Sequence, residues 1–440
     1  MTLLSGWGHY PRMECREKRV RRGDEVSEML AQEPELIARG MGRSYGDAAM
    51  NTACTLNTTR MNRMLAFDDA TGSLTCESGV TLADILTTFI PRGWFAPVTP
   101  GTKFVTVGGM LAADVHGKNH HKAGSFGDYV EAFELALADG RIVICTASQN
   151  ADLFAATRGG MGLTGVILRL TFRLMRIETS FIRQETLRAR NLEEVMGQFE
   201  ASSDATYSVA WIDCLASGAH LGRSIFYRGE HATLQECSER QREKPLPVDR
   251  QRRLSLPPFF PPFMLNRLSV RTFNALYYRI HRATTKIVDY NRFFYPLDGL
   301  QHWHRLYGRK GFVQYQCVLP KAASKAGMRS LLSEIAISGT RPFLAVLKLL
   351  GPGGPLMSFP MEGYSLALDF PANAKTFDLL ERLDDIVEEH GGRIYLAKDA
   401  RSKAEAIRKG YSALPRFQEI RASWQATDKF SSLLSQRLSL

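Results

Sequence analysis

Gly108-Gly-Met-Leu-Ala-Ala-Asp-Val-His-Gly-Lys-Asn-His-His121 sets the terms for the rest of the chain. Gly108, Gly109 and the alanines ending at Ala113 let backbone lie close to a large ligand. Asp114 follows, and residues 116–121 then hold His116, Lys118, Asn119, His120 and His121, a concentration of hydrogen-bonding and proton-transfer groups. A smooth wall running into a polar end suggests a cofactor seat beside reactive chemistry.

Upstream, Pro97–Thr106 holds too many prolines and glycines for a long regular element, so it carries the chain in extended form into this loop. Thr81-Leu-Ala-Asp84 reads as a capping box opening an apolar helix to Ile90, stopped by Pro91-Arg-Gly93, and Ser73–Ser78 as a strand. Earlier still, residues 24–33 read as a short helix and Glu35–Ala38 as a strand entering Arg39-Gly-Met-Gly-Arg-Ser-Tyr-Gly-Asp47. Closely spaced glycines after a strand can offer peptide N–H groups to a phosphate, or simply make a structural turn. Downstream, Ala138-Asp-Gly140 between Ala132–Leu137 and Arg141–Thr146 is a hairpin signal. Asp152–Thr157 is helical, and Arg158-Gly-Gly-Met-Gly-Leu-Thr-Gly165 feeds a strand with Val166, Leu168, Leu170, Phe172 and Leu174 on alternate positions.

Past about residue 180 the character changes. Ser208–Asp213 and Phe312–Leu319 read as central strands, with helices around 193–201, 321–337 and 374–390, which suits an α+β domain whose sheet carries helices on one side. Residues 238–285 read as basic and irregular. Within them Leu254-Ser-Leu-Pro-Pro-Phe-Phe-Pro-Pro-Phe-Met-Leu265 can be neither helix nor central strand, and fits either a buried connection or a membrane-touching lid. Gly391-Gly392 caps a helix, and Arg393-Ile-Tyr-Leu-Ala-Lys398 reads as a strand ending on a lysine.

The 440 residues allow two or three domains with sizeable cores. Lys+Arg 56 against Asp+Glu 45 gives +11, favouring phosphates or an anionic membrane surface. No nucleic-acid module accompanies that charge, so no nucleic-acid partner is expected. Seven scattered cysteines without a Cys-x-x-Cys pair argue against a disulfide framework and a zinc site; no metal is expected. The N-terminus lacks a basic-then-apolar leader, and no apolar run approaches the roughly 20 residues of a membrane span, so a cytoplasmic location is expected, with peripheral contact at the inner membrane face as its extension.

The order of glycine-rich turn, helix, Gly-Gly loop with histidine, Asp-Gly hairpin and Asp152-Leu-Phe-Ala-Ala-Thr-Arg-Gly-Gly-Met-Gly-Leu-Thr-Gly165 resembles the vanillyl-alcohol-oxidase type of FAD oxidoreductase. Gly6-Trp-Gly8, Ala38–Asp47, Pro100-Gly-Thr102, Thr106-Val-Gly-Gly109, Asp114–His121, Ala123–Gly127, Gln314-Tyr-Gln316, Lys348-Leu-Leu-Gly-Pro352 and Ala397-Lys-Asp399 are similar to motifs of the oxidase components of decaprenylphosphoryl-β-D-ribose 2′-epimerases. These motifs run from residue 6 to the Asp399-Ala-Arg401 segment. The resemblance implies an α+β fold: a two-part FAD-binding domain (PCMH type) at 1–180 and 393–440, with an α+β substrate domain on an antiparallel sheet inserted at 181–392.

By the same resemblance, Arg39, Gly40, Gly42, Arg43, Ser44, Tyr45, Gly46 and Asp47, with Gly101, Thr106, Val107, Gly108 and Gly109, serve the FAD diphosphate and nearby ring system. Ala113, Asp114 and His116 wall the isoalloxazine, Gly165 and Val166 face the adenosine, and Tyr395 and Lys398 also touch FAD. Relatives with covalent flavin carry a histidine near the place of Tyr45, so non-covalent FAD is expected. Lys398, His116, Tyr45, Lys118 and Gln316 are the implied catalytic set. Gln314, Gln316, Lys348 and Ser365 are the implied substrate set, and the two glutamines, two apart on a strand, share a face. His120 and His121 are expected to be structural.

The implied reaction is oxidation of the 2′-hydroxyl of a polyprenylphosphoryl-β-D-ribose to the 2′-keto form, completed toward an arabinose donor by a separate short-chain-type keto-reductase. The alternative is a sugar-lactone or alditol oxidase acting on a soluble sugar. Ser365, Ala367 and Val209 depart from the mycobacterial pattern, which places asparagine, cysteine and serine there.

Overall fold

A computed structural model describes residues 1–248, 254–255, 257, 267–308, 310–342 and 344–440. The local signals nearest the Gly-Gly loop hold. Thr81 caps Leu82–Phe89 with Asp84 in the reciprocal role, and the Asp139-Gly140 turn joins Val130–Ala136 to Ile142–Thr146 in antiparallel register, with Gly140 at φ 84°. Those two strands lie at one edge of a five-stranded antiparallel sheet, followed in order by Val166–Arg173, Ser73–Glu77 and Met64–Asp68. A smaller parallel sheet of Glu17–Arg19, Thr55–Asn57 and Ile37–Arg39 carries the glycine-rich turn at its end.

The Gly108–His121 stretch is not wholly a loop. Thr106 caps a helix, α1 (Val107–Ala112), by accepting from the Gly109 N–H at 3.3 Å. Small residues let this helix press on the strand below: a Cβ on Gly108 would sit 2.8 Å from the Ser78 Cβ.

The second half is built on an eight-stranded antiparallel sheet. Its order is Thr284–Asp289, Phe181–Ala189, Ser224–His231, Tyr207–Ile212, Ala345–Leu350, Gly363–Pro371, Phe312–Pro320 and Arg393–Ile394. Helices Leu192–Glu200, Lys321–Ser338 and Ala374–Glu389 pack on one face around a core that includes Leu331, Leu366 and Leu383. The other face turns alternate residues, among them Gln314, Gln316, Val346 and Lys348, toward the first half of the molecule.

Two readings of the sequence need correction. Residues 238–285 are less irregular than expected: within them lies a second labelled helix, α2 (Arg267–Ile280), followed by the strand Thr284–Asp289. Of the Leu254–Leu265 run, Leu254 and Ser255 pair with Leu300 and Gln301, while most of the rest lies outside the described residues. The expected strand to Lys398 stops after Arg393–Ile394, because the Lys398 and Asp399 N–H groups both turn back to the Tyr395 carbonyl. All seven cysteines are buried and free. Among the described residues no helix is long and apolar enough to cross a membrane.

Candidate active site

Between the two halves lies a cavity of about 1560 Å³, larger than the roughly 300–1,000 Å³ that one small ligand needs. Gly40, Gly42, Arg43 and Ser44 form one part of its wall, joined by Gly101, Thr106, Gly108, Gly109, Ala113 and Gly165. The two glycine stretches touch there, since a Cβ on Gly40 would stand 2.2 Å from Thr106 Oγ1. Gly165, at φ 158°, has no room for a side chain against Leu135 and the Ala136 carbonyl.

Elsewhere the wall is open. Among the described residues a Cβ on Gly101 would meet nothing within 4 Å, and Ser78 Oγ, on the cavity wall, is buried without a hydrogen-bond partner. Exposed glycine backbone, an unpaired hydroxyl and room for more than one ligand fit a large cofactor lying beside a substrate.

The reactive end gathers residues from distant parts of the chain. The Tyr45 N–H donates to the Ala397 carbonyl at 2.9 Å, and Lys398 Nζ lies 4.0 Å from the Tyr45 ring centroid. Arg437 clamps the pair from behind, reaching Asp47 and Asp399 at 2.9 Å each. Gln314 Nε2 donates to Tyr45 Oη at 3.2 Å and to Asp369 Oδ1, its cross-strand neighbour, at 2.5 Å. Gln316 Nε2 donates to Ser365 Oγ at 3.2 Å and meets His116 Nε2 at 3.0 Å. With the amide donating, His116 Nε2 accepts and its proton sits on Nδ1, which is buried with no partner among the described residues.

Three lysines converge on the same space. Lys118 donates to the Phe293 carbonyl, with Nζ 4.3 Å from that residue's ring centroid, and Lys348 projects from its strand into the cavity. Burial, then Lys348, draws Lys118 down to about 7; burial draws Lys348 to about 8. Burial takes Lys398 to about 7, with Asp369 opposing and Lys348 assisting the shift. Burial, with the neighbouring cations, holds His116 well below the usual imidazole range. Tyr45 is pushed up by burial and Asp369 and stays a neutral phenol. Such a pocket favours an anion, which would return the lysines that meet it, Lys118 and Lys348, to their charged forms.

Of the residues named from the sequence, Tyr45, His116, Lys118, Gln314, Gln316, Lys348, Tyr395 and Lys398 all line the cavity. Tyr395 spends its hydroxyl on the Ala113 carbonyl at 2.8 Å. Arg39, Gly46, Asp47, Val107, Asp114, Val166 and Ser365 stand behind the wall. Arg39 reaches the Ser5 and Ala49 carbonyls. Asp114, fully buried at φ 38°, pairs with Arg158 at 2.9 Å and accepts from Ser358. His120 and His121 are tied to backbone, at the Gly351 N–H and the Ala205 carbonyl. The sequence gives no site role to Asp369 or Ser78, and none to the aromatic arm formed by Trp211, Tyr227 and Tyr277.

A family model described as an FAD binding domain matches residues 24–146. The chain is 38% identical to the decaprenylphosphoryl-beta-D-ribose oxidase of Mycolicibacterium smegmatis, over 92% of this chain and 89% of that protein. It is 36% identical to an uncharacterized Streptomyces coelicolor protein encoded in the mprA 5′ region, over 82% of this chain and all of that one. The L-gulonolactone oxidase of Bos taurus is 31% identical over only 40% of each chain.

Proposed function

The chain belongs to the decaprenylphosphoryl-β-D-ribose oxidase family of FAD-dependent oxidoreductases, and from that premise we propose that it oxidises the 2′-hydroxyl of a polyprenylphosphoryl-β-D-ribose to the ketone. A separate short-chain-type reductase would complete the epimerisation toward an arabinose donor. The observation that carries the reading is the convergence of Lys118, Lys348 and Lys398 with Gln314, Gln316 and His116 on one cavity beside the glycine wall. A neutral lactone or free sugar would leave two of these buried amines, Lys118 and Lys348, with no anion to meet.

In this reading residues 1–180 and 393–440 hold the cofactor and 181–392 the substrate. Gly40, Gly42, Arg43, Ser44, Gly101, Thr106, Gly108, Gly109 and Ala113 would hold FAD, without a covalent bond. When bound, FAD supplies the hydride acceptor that alcohol oxidation needs. Lys118 and Lys348 bind the phosphate. Gln314 and Gln316, fixed by Asp369, Tyr45, His116 and Ser365, present ordered amides to the sugar.

Lys398 Nζ, brought near neutrality by burial, receives the hydroxyl proton and then stands as a cation beside the charge that oxidation leaves in the site. His116 Nε2 is already occupied by the Gln316 amide, so it does not compete for that proton. Ser365 stands directly across from Lys348, and Ala367 directly across from Gln316 and Val346, so the departures from the mycobacterial pattern fall on the substrate face.

The test is anaerobic bleaching of the flavin absorbance by a panel of polyprenylphosphoryl pentoses and free sugars. Bleaching by the lipid-linked ribose is expected, and bleaching by free sugars alone would remove the reading.

A further inference from the structure

Helix α2 exposes an apolar flank beside the cavity mouth. Its rotation is fixed from within. Val270 and Asn274 are buried, the Asn274 amide donates to Asp213 Oδ1 at 2.7 Å, the Tyr277 hydroxyl meets that of Tyr227 at 3.0 Å, and its ring lies 4.7 Å from Trp211.

With Val270, Asn274 and Tyr277 on the sheet, Phe273, Leu276 and Ile280 fall together about a quarter-turn away. They are 44%, 57% and 62% exposed. Spacings of three and four make them one stripe rather than scattered surface residues. Phe273 and Ile280 also border the cavity, so the stripe runs into its mouth.

The charge around this stripe has one sign. Residues 269–288 contain four Arg and Lys and no Asp or Glu. Arg279 is exposed next to Ile280, Arg271 is exposed one turn up the helix from Ala275, and Arg282 and Lys286 follow at the cavity rim. An apolar stripe about two turns long with cations at its border suits a surface whose interior is hydrocarbon and whose face is anionic. A second copy of this chain would bring the same cations against each other.

We propose that the Phe273–Leu276–Ile280 flank of α2 seats the protein on an anionic phospholipid bilayer and places the cavity mouth at headgroup level. Its use, passing a lipid-linked sugar from bilayer to cavity with the prenyl tail left near the membrane, rests on the function proposed above. The seating itself does not.

Flotation of the FAD-loaded protein with vesicles tests it. Association with mixed phosphatidylcholine and phosphatidylglycerol vesicles is expected, weakening with salt, and none with phosphatidylcholine alone. Removing one surface cation weakens such binding about fivefold, so Arg271→Gln with Arg279→Gln should weaken it on the order of 20-fold. Leu276→Asp should abolish it. Flavin content and melting temperature, equal to those of the parent, show that each variant is folded.

Indifference of the parent to phosphatidylglycerol overturns the proposal, as does unchanged vesicle binding by Leu276→Asp. A dimer that Leu276→Asp splits while vesicle binding persists assigns the stripe to a second copy and overturns it too. Bleaching by polyprenylphosphoryl ribose in detergent is read separately. Bleaching without vesicle binding removes only the seat, and vesicle binding without bleaching leaves the seat and removes the lipid-linked ribose.

Discussion

Affinity for the lipid-linked sugar should fall steeply above neutral pH, and the slope follows from two side chains. In the ligand-free cavity Lys118 titrates at about 7 and Lys348 at about 8, both lowered first by burial. A bound phosphate favours the charged amines, so each lysine takes up a proton on binding wherever the free form is neutral. The sign is therefore fixed: binding is strongest below pH 7 and is lost as pH rises through 7 and then 8. From pH 7 to 9 the charged fraction of a group at about 8 drops roughly tenfold, and that of a group at about 7 roughly fiftyfold. If both meet the phosphate, the dissociation constant should rise by several hundredfold, on the order of 3–4 kcal/mol. A polyprenylphosphoryl 2′-deoxyribose, which binds but cannot be oxidised, allows an equilibrium titration by flavin fluorescence. Its phosphodiester does not titrate in this window. Lys348→Met should weaken binding at pH 7 and leave a single, shallower component, displaced upward from pH 7 because Lys348 no longer opposes the charge on Lys118. A flat affinity between pH 6 and 9, or an unaltered profile in Lys348→Met, would refute the assignment of these lysines to the phosphate.

Lys398→Ala should fold and retain FAD yet slow anaerobic flavin bleaching by on the order of 100-fold or more; a normal single-turnover rate would exclude Lys398 from the chemistry. Acid precipitation should leave the yellow colour in the supernatant, because Tyr45, packed edge-on against Phe312 with its hydroxyl held by Gln314, stands where covalent relatives carry their attachment residue; a yellow pellet would contradict this. Gly46→Ala puts a Cβ 2.0 Å from the Asp399 carbonyl and 2.8 Å from Ala400 Cα. Both obstacles are backbone, so a stability loss of about 1–3 kcal/mol is expected, together with slower bleaching as the Lys398 turn is displaced. An unchanged melting curve would show that the joint is looser than it looks.

What could be read from the sequence was whatever a few neighbouring residues decide. The Thr81–Asp84 cap and the Asp139-Gly140 hairpin are closed by hydrogen bonds within a few positions. Gln314 and Gln316 share the cavity face because a strand's side chains alternate. Helix α2 escaped because its inner face is spelled Val270, Asn274, Tyr277, and a polar Asn reads as buried only once Asp213, 61 positions away, is known to be its partner. The family resemblance assigns Asp114 and Asp47 to the cofactor as members of glycine-rich motifs. Yet motif membership does not set the direction of a side chain, and the guanidinium groups of Arg158 and Arg437 draw these two carboxylates behind the wall.

Those two ion pairs also explain how so open a glycine wall can be held in shape. The turn that presents Tyr45 is rich in small residues, whereas the turn that presents Lys398 closes on the Tyr395 carbonyl. They are fixed to one another, by the Tyr45 N–H on the Ala397 carbonyl and by Arg437 bridging Asp47 and Asp399. A lysine near the end of the chain is thereby set against a loop near its beginning by contacts that do not run through Val209, Ser365 or Ala367, so changes at those three positions leave Tyr45 and Lys398 in place.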